Sequence, residues 1–157
     1  MTLVVEDGTA LSNANTYVSA ADFITYAAAR GITIVPGEAE GWLILAMDYL
    51  ETLPYIGVKW SRLQPLQWPR YGVIIDSWYR NVSEIPPELI KAQNECAMQI
   101  SLGNDPLQNR DPATKSEQVG SIKVEYASGA STITLPVKVF ALLSKLTSGC
   151  GFKVGRA

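Results

Sequence analysis

The chain has 157 residues, 47% of them hydrophobic and 18% charged, with a formal net charge of −2. That balance describes one globular domain able to bury roughly 70% of its unfolded surface, and it excludes a disordered chain. The absence of a basic excess argues against a protein that grips nucleic acid through its phosphates, and the absence of histidine removes the histidine triads, the usual zinc ligand and the usual neutral-pH base.

The chain is therefore expected not to be an enzyme. Its longest apolar run, Trp42 to Met47, covers six residues, far below the ~20 needed to span a bilayer. The opening "MTLVVEDG" lacks the basic start and long apolar core of a signal peptide. Two distant cysteines, Cys96 and Cys150, make no disulfide framework, so a reducing compartment is expected. The sequon Asn81-Val82-Ser83 then reads as a chance match.

In chain order, "LVVEDGTALSNANTYVS" reads as a short strand, an acidic glycine turn and a polar loop. Ser19 is a good N-cap, with Asp22 at N3 and Val18 placed to staple onto Phe23. That helix runs to about Arg30, and Gly31 stops it. A loop with Pro36 and Gly37 precedes a second helix, residues 38 to 53. Its apolar spacing is Trp42, Leu45, Ala46, Tyr49, Leu50 and Leu53, and Pro54 ends it.

Residues 55 to 84 read as a long irregular loop rich in Trp, Tyr, Pro and Gly, of the kind that is pinned or functional. Pro86-Pro87-Glu88 opens a third helix. Its stripe is Leu89, Ala92, Cys96 and Ile100, and Gly103 closes it. In "KSEQVGSIKVEY" the period changes to alternation, which predicts a β-hairpin turning near Gly120-Ser121. Thr132 to Leu135 reads as a further strand. Pro136 starts a last helix with Val139, Phe140, Leu142, Leu143 and Leu146 apolar, and the glycine-punctuated "CGFKVGRA" follows as a tail.

Candidate chemistry is sparse. Asp48 and Glu51 share a helix face and Glu84 and Glu88 flank a helix start, but paired carboxylates catalyse only in a cleft that splits their pKa values. One pair reads as a solvated face and the other as a cap. Glu6-Asp7-Gly8 reads as a tight turn rather than a calcium loop, and Cys96 as core.

The central loop carries the best local signal. Trp60, Trp68, Tyr71, Trp78 and Tyr79, interleaved with Lys59, Arg62, Arg70 and Arg80, would suit a single-strand platform of rings and cations. Alternatively the rings roof the helices, with Trp68, Pro69 and Arg70 as a structural plug and Arg70 binding loop carbonyls or a carboxylate.

Four segments together carry a resemblance: "VVEDGTALSNANTYVS", "LQWPRYGV", "IPPELIKAQNECA" and "KSEQVGSIKVEY". In this order they resemble a family of small proteins from tailed-phage head–tail gene clusters, often labelled DnaT-like single-stranded-DNA-binding proteins. The family is similar to head–tail adaptors, or head-completion proteins. The resemblance implies a mainly α fold: a small bundle of about four helices with a β-hairpin, a long irregular Trp/Pro-rich loop and an extended C-terminal tail.

It further implies a domain over residues 1–149 with the hairpin near 115–127, and a tail over residues 150–157. A structural virion subunit is expected, with no catalytic residue, cofactor or metal, made in the host cytoplasm and placed at the head–tail junction. Its partners would be the portal protein, copies of itself in a ring of about twelve, a neck or tail-completion protein, and genomic DNA passing the lumen without sequence-specific binding. No membrane is involved. The tail residues Phe152, Lys153, Val154 and Arg156 are expected to dock on the portal. The hairpin residues Val119, Ile122, Val124 and Tyr126 are expected to meet a neighbouring subunit or tail component. The alternative is a single-stranded-DNA binder using the Trp/Arg-rich loop.

Overall fold

The computed structural model describes residues 2–108, 116–119, 122–125 and 137–148. Among them are four helices, α1 (Ala20–Ala28), α2 (Pro36–Leu50), α3 (Pro87–Ser101) and α4 (Val137–Leu143), so the domain is mainly α as expected. α3 is the axis: α2 and α4 pack along it, and α1 lies against both α2 and α3.

Local chemistry sets the helix ends. Ser19 Oγ accepts the amide of Asp22 at 3.1 Å and caps α1, while Val18 and Phe23 are both buried as a staple. Gly31, at φ 75°, supplies the left-handed residue beyond. α2 starts two residues earlier than expected because Pro36 occupies its first turn, where the missing amide costs nothing. It ends at Leu50, leaving Leu53 in a turn before Pro54.

The inward face of α2 is Ala39, Leu43, Ala46, Met47 and Leu50. Leu45 points outward at 38% exposure and Trp42 is only partly buried. The run Trp42 to Met47 is apolar on every side, so periodicity alone cannot choose between stripes one residue apart.

In α3 the expected stripe of Leu89, Ala92, Cys96 and Ile100 is buried, but so are Gln93, Asn94 and Glu95. Gln93 accounts for its burial by hydrogen bonds. It accepts the amide of Tyr17 at 2.9 Å and donates to Thr16 Oγ1 at 2.8 Å and to the Leu43 carbonyl at 3.3 Å. One side chain thus ties the N-terminal arm and α2 to the axis.

In that arm, buried Glu6 accepts the amides of Gly8 and Ala10 at 2.9 Å and of Leu11 at 3.0 Å. The tight turn also needs glycine: Gly8 sits at φ 98°, and a Cβ there would lie 2.0 Å from the Ser83 carbonyl oxygen.

Residues 55 to 84 are not irregular throughout. They hold two antiparallel ribbons, β1 (Val58–Lys59) with β2 (Arg70–Tyr71), and β3 (Ile74–Ile75) with β4 (Trp78–Tyr79). Asp76 and Ser77 both have positive φ, 52° and 70°. That is the backbone of a two-residue turn whose twist matches its strands.

β5 (Ser116–Val119) and β6 (Ile122–Glu125) pair antiparallel from Ser116↔Glu125 to Val119↔Ile122, the expected hairpin strands, while Gly120 and Ser121 lie outside the described residues. The expected strand at 132 to 135, Tyr126 and the whole tail, including Phe152, Lys153, Val154 and Arg156, lie outside the described residues. After α4, whose Val139 and Leu143 are buried with Leu146 beyond them, the chain returns to the root of the ribbons. Ile56 N donates to the Leu146 carbonyl at 2.9 Å, and Ser148 N to the Pro54 carbonyl at 2.7 Å.

Candidate interaction surface

The aromatic loop divides into an inside and an outside. Trp68 is fully buried. Its ring meets that of Tyr55 edge to face at 6.4 Å, and its bond to Pro69 is cis.

Arg70 is buried with it. Its Nε donates to the Ile56 carbonyl at 2.7 Å, and Nη2 to the carbonyls of Gly57 at 2.7 Å and Tyr55 at 3.2 Å. Nη1 donates to the Gln67 side-chain oxygen at 2.9 Å and to its carbonyl at 3.3 Å. A guanidinium fork suits this fan of acceptors as an ammonium would not. Gln64, also buried, donates to the carbonyls of Leu66 and Pro69 at 2.9 and 3.0 Å. Trp68, Pro69 and Arg70 therefore hold the loop to the helices and offer no face to a ligand.

The remaining rings do not roof the helices. Trp60 is 54% exposed, Trp78 78% and Tyr79 79%, and Tyr71 also stands in solvent. Aliphatic side chains accompany them: Leu63, Val58 and Ile74 are exposed too. Register places Val58 opposite Tyr71 and Ile74 opposite Tyr79, so each ribbon turns an apolar cross-strand pair outward. Scattered exposed apolar residues are ordinary, whereas seven within 22 consecutive residues make this segment the candidate interaction surface. The aliphatic members were absent from the sequence reading. The Asp-Ser turn between "II" and "WY" was the signal for the second ribbon.

The cations of this region are mostly occupied. Arg70 is consumed by carbonyls, Arg80 pairs with Glu88 at 3.0 Å, and Lys145 reaches Asp76 at 2.7 Å. Lys59 and Arg62, on either side of Trp60, have no ion-pair partner among the described residues. Arg62 is exposed and Lys59 partly buried.

The carboxylates separate differently from expectation. Asp48 is exposed, but Glu51 is not on a solvated face. Its Oε1 accepts the Tyr17 hydroxyl at 3.2 Å and the Gln67 amide at 3.1 Å. Burial raises its pKa, and the Gln67 amide and Tyr17 hydroxyl oppose the rise. Glu95, in the middle of α3, accepts from Tyr26 Oη at 2.6 Å, Arg30 Nε at 3.1 Å and Lys138 Nζ at 2.5 Å. Burial alone would raise its pKa, but the bonds from Lys138 and Tyr26 prevail and lower it. Both carboxylates join elements of the fold. Cys96 is core, and burial pushes its thiol up to about 12. Among the described residues no cluster of His, Cys, Asp or Glu could hold a metal ion, and no helix is long and apolar enough to cross a membrane.

The fold is a small mainly α domain that holds two aromatic ribbons in solvent. A family model described as "Putative DnaT-like ssDNA binding protein" matches residues 1–157, and the chain belongs to that family. No curated protein and no solved structure matches it.

Proposed function

We propose that this protein is a head-to-tail adaptor of a tailed phage, a ring subunit beneath the portal, and that its ribbons meet a protein neighbour. The observation that carries this reading is the chemistry of the exposed face. Seven large apolar side chains stand in solvent there, beside two cations that have no ion-pair partner among the described residues. Protein interfaces centre on such aromatic and aliphatic anchors. A strand-binding groove instead tracks the nucleic-acid backbone with positive charge. The likeness of four segments to head–tail gene-cluster proteins supplies the setting, and the mild overall acidity suits a conduit that must release DNA.

The test is reconstitution with the portal protein that the adaptor reading expects in the same genome, read by sedimentation and electron microscopy. The adaptor reading expects a ring on the portal, lost when residues 150–157 are deleted from a chain that still folds. A portal that never takes up the intact protein sinks it.

The family description favours a second reading, single-stranded-DNA binding. Trp60 between Lys59 and Arg62 is the place where a base would stack over a neutralised backbone. This reading expects binding to a labelled oligonucleotide that weakens with salt and is lost on Trp60→Ala or Trp78→Ala. An unchanged signal at low salt across a protein titration would eliminate it.

A further inference from the structure

The clasp behind α4 has a direction. Ile56 N donates to the Leu146 carbonyl, Ser148 N donates to the Pro54 carbonyl, and Thr147 bridges Tyr55 antiparallel. A chain antiparallel to residues 54–56 leaves Ser148 pointing back toward Thr52 and the end of α2, away from the ribbons. Nine residues of the sequence, 149–157, follow it.

In that direction stands the outer face of α2. Thr52, just past the helix, and then Asp48, Leu45, Gly41 and Glu38 are all exposed. Their spacings of four, three, four and three keep them on one side. Leu45 turns an apolar side chain to solvent there, and neither Glu38 nor Asp48 has an ion-pair partner among the described residues. Gly41 is the odd member. A glycine inside a helix costs stability relative to alanine, and among the described residues nothing lies within 4 Å of its Cβ position. A second stretch of backbone close against the helix would account for it.

The nine residues match this face in length, order and charge. An extended chain at ~3.3 Å per residue, counted from the clasp, reaches Phe152 after about 13 Å, Val154 after about 20 Å and Arg156 after about 26 Å. At ~1.5 Å per helical residue, counted from Pro54, Leu45 comes after about 13 Å, Gly41 after about 20 Å and Glu38 after about 24 Å. Alternation gives Phe152, Val154 and Arg156 one side of such a chain. Two apolar groups and a cation thus come level with an apolar side chain, a flat gap and an acid. Lys153, on the other side, is long enough to reach back toward Asp48.

We infer that the outer face of α2 is the seat of this chain's own residues 149–157. Phe152 covers Leu45, Val154 fits over Gly41, and Arg156 meets Glu38 with Lys153 near Asp48. The ion pairs set the register and the apolar contacts supply the desolvated part. The segment is tethered at Ser148, so its effective concentration is on the order of millimolar and a weak contact suffices. The inference rests on neither functional reading. Under the adaptor reading it adds a condition, because portal and α2 compete for the same residues.

The test is paramagnetic broadening in the full chain. A nitroxide is attached at Ala157→Cys in a Cys150→Ser background, where buried Cys96 takes no label. The amide signals of Glu38, Gly41 and Leu45 are expected to lose intensity, and those of Trp60, Tyr71 and Trp78 to keep it. Leu45→Lys and Arg156→Glu should each weaken docking at least about threefold, read as recovered intensity. Adding Glu38→Lys to Arg156→Glu should bring the broadening back. Arg156→Glu alters the segment alone and leaves α2 intact, and circular dichroism verifies the fold of the other variants. A mixture of nitroxide-bearing chains with isotope-labelled chains that lack the nitroxide should show no broadening.

α2 signals that stay sharp in the nitroxide-bearing chain overturn the inference, as does broadening that Leu45→Lys and Arg156→Glu leave unchanged. Broadening centred on the ribbons gives the segment a different seat and overturns it too. Broadening in the mixture means that the segment of a second copy occupies α2, and the contact within one chain falls.

Discussion

Tyr17 and Trp68, 51 positions apart, share one hydrogen bond: the amide of Trp68 donates to the Tyr17 hydroxyl at 3.0 Å. The same hydroxyl donates to Glu51 at 3.2 Å. N-terminal arm, plug and end of α2 thus meet at one oxygen. The plug is a structural part of the domain, and this separates the two halves of the aromatic loop experimentally.

Trp68→Ala should cost about 3–5 kcal/mol of stability, the range for emptying a fully buried tryptophan site. Trp68→Phe should cost less, since Trp68 Nε1 has no hydrogen-bond partner among the described residues to lose. Trp78→Ala, at an exposed ring, should stay within about 0.5 kcal/mol of wild type. Urea unfolding gives all three values. Equal losses for Trp68→Ala and Trp78→Ala would refute the division into inside and outside.

Replacing Arg70 should be costly even when charge is kept. Arg70→Ala leaves the carbonyls of Tyr55, Ile56 and Gly57 without their donor and should cost about 2–4 kcal/mol. Arg70→Lys should recover less than about half of this, because one ammonium cannot span the fan. A lysine variant as stable as wild type would show that the charge, not the fork, holds the loop.

Acid should loosen the contact between α1, α3 and α4. The folded-state pKa of Glu95 is lowered. Its stabilising contribution is therefore present above the ordinary glutamate value of 4.5 and is lost as pH falls through the folded value. Glu51 acts with the opposite sign: its raised pKa means that protonation favours the folded chain as pH descends from neutral. Glu95→Gln should lower the urea midpoint at pH 7 and flatten its fall toward pH 3. Glu51→Gln should leave that acid fall in place. A wild-type acid limb unchanged by Glu95→Gln contradicts the assignment.

Cys96 should be silent. In a Cys150→Ser background, a thiol reagent should label the folded chain only as fast as it opens, and rapidly in denaturant, since the buried thiol is not ionised at neutral pH. Prompt labelling under native conditions would place Cys96 at the surface.

The parts of this fold that sequence made legible are those governed by neighbours along the chain. Ser19 with Asp22, Gly31, Pro87 and the pairing of Val119 with Ile122 each act within a few residues. What escaped depends on distant partners. Gln93 and Glu95 drew no expectation, because nothing near them along the chain announces Thr16, Tyr17, Tyr26, Arg30 and Lys138. Leu45 read as core because the run Trp42 to Met47 is apolar on every side and only packing against α1 and α3 decides which side turns inward. The aromatic loop is the mixed case. Its composition marked it as a place where something binds, and the Arg70 fork accounts for one reading, but only the fold separates Trp68 from Trp60 and Trp78.

The junction of residues 54–56 with 146–148 has a mechanical meaning. Thr147 and Tyr55 form an antiparallel bridge, flanked by the bonds from Ile56 to Leu146 and from Ser148 to Pro54. Tension applied at Ser148 is thereby delivered to the root of the aromatic ribbons before it reaches the bundle. The clasp loads a short ladder of hydrogen bonds, leaving Trp68 and the packed helices behind it as a stop. Pulling on a single molecule from Ser148 should show a first, low-force extension as the clasp opens, ahead of the rupture of the core.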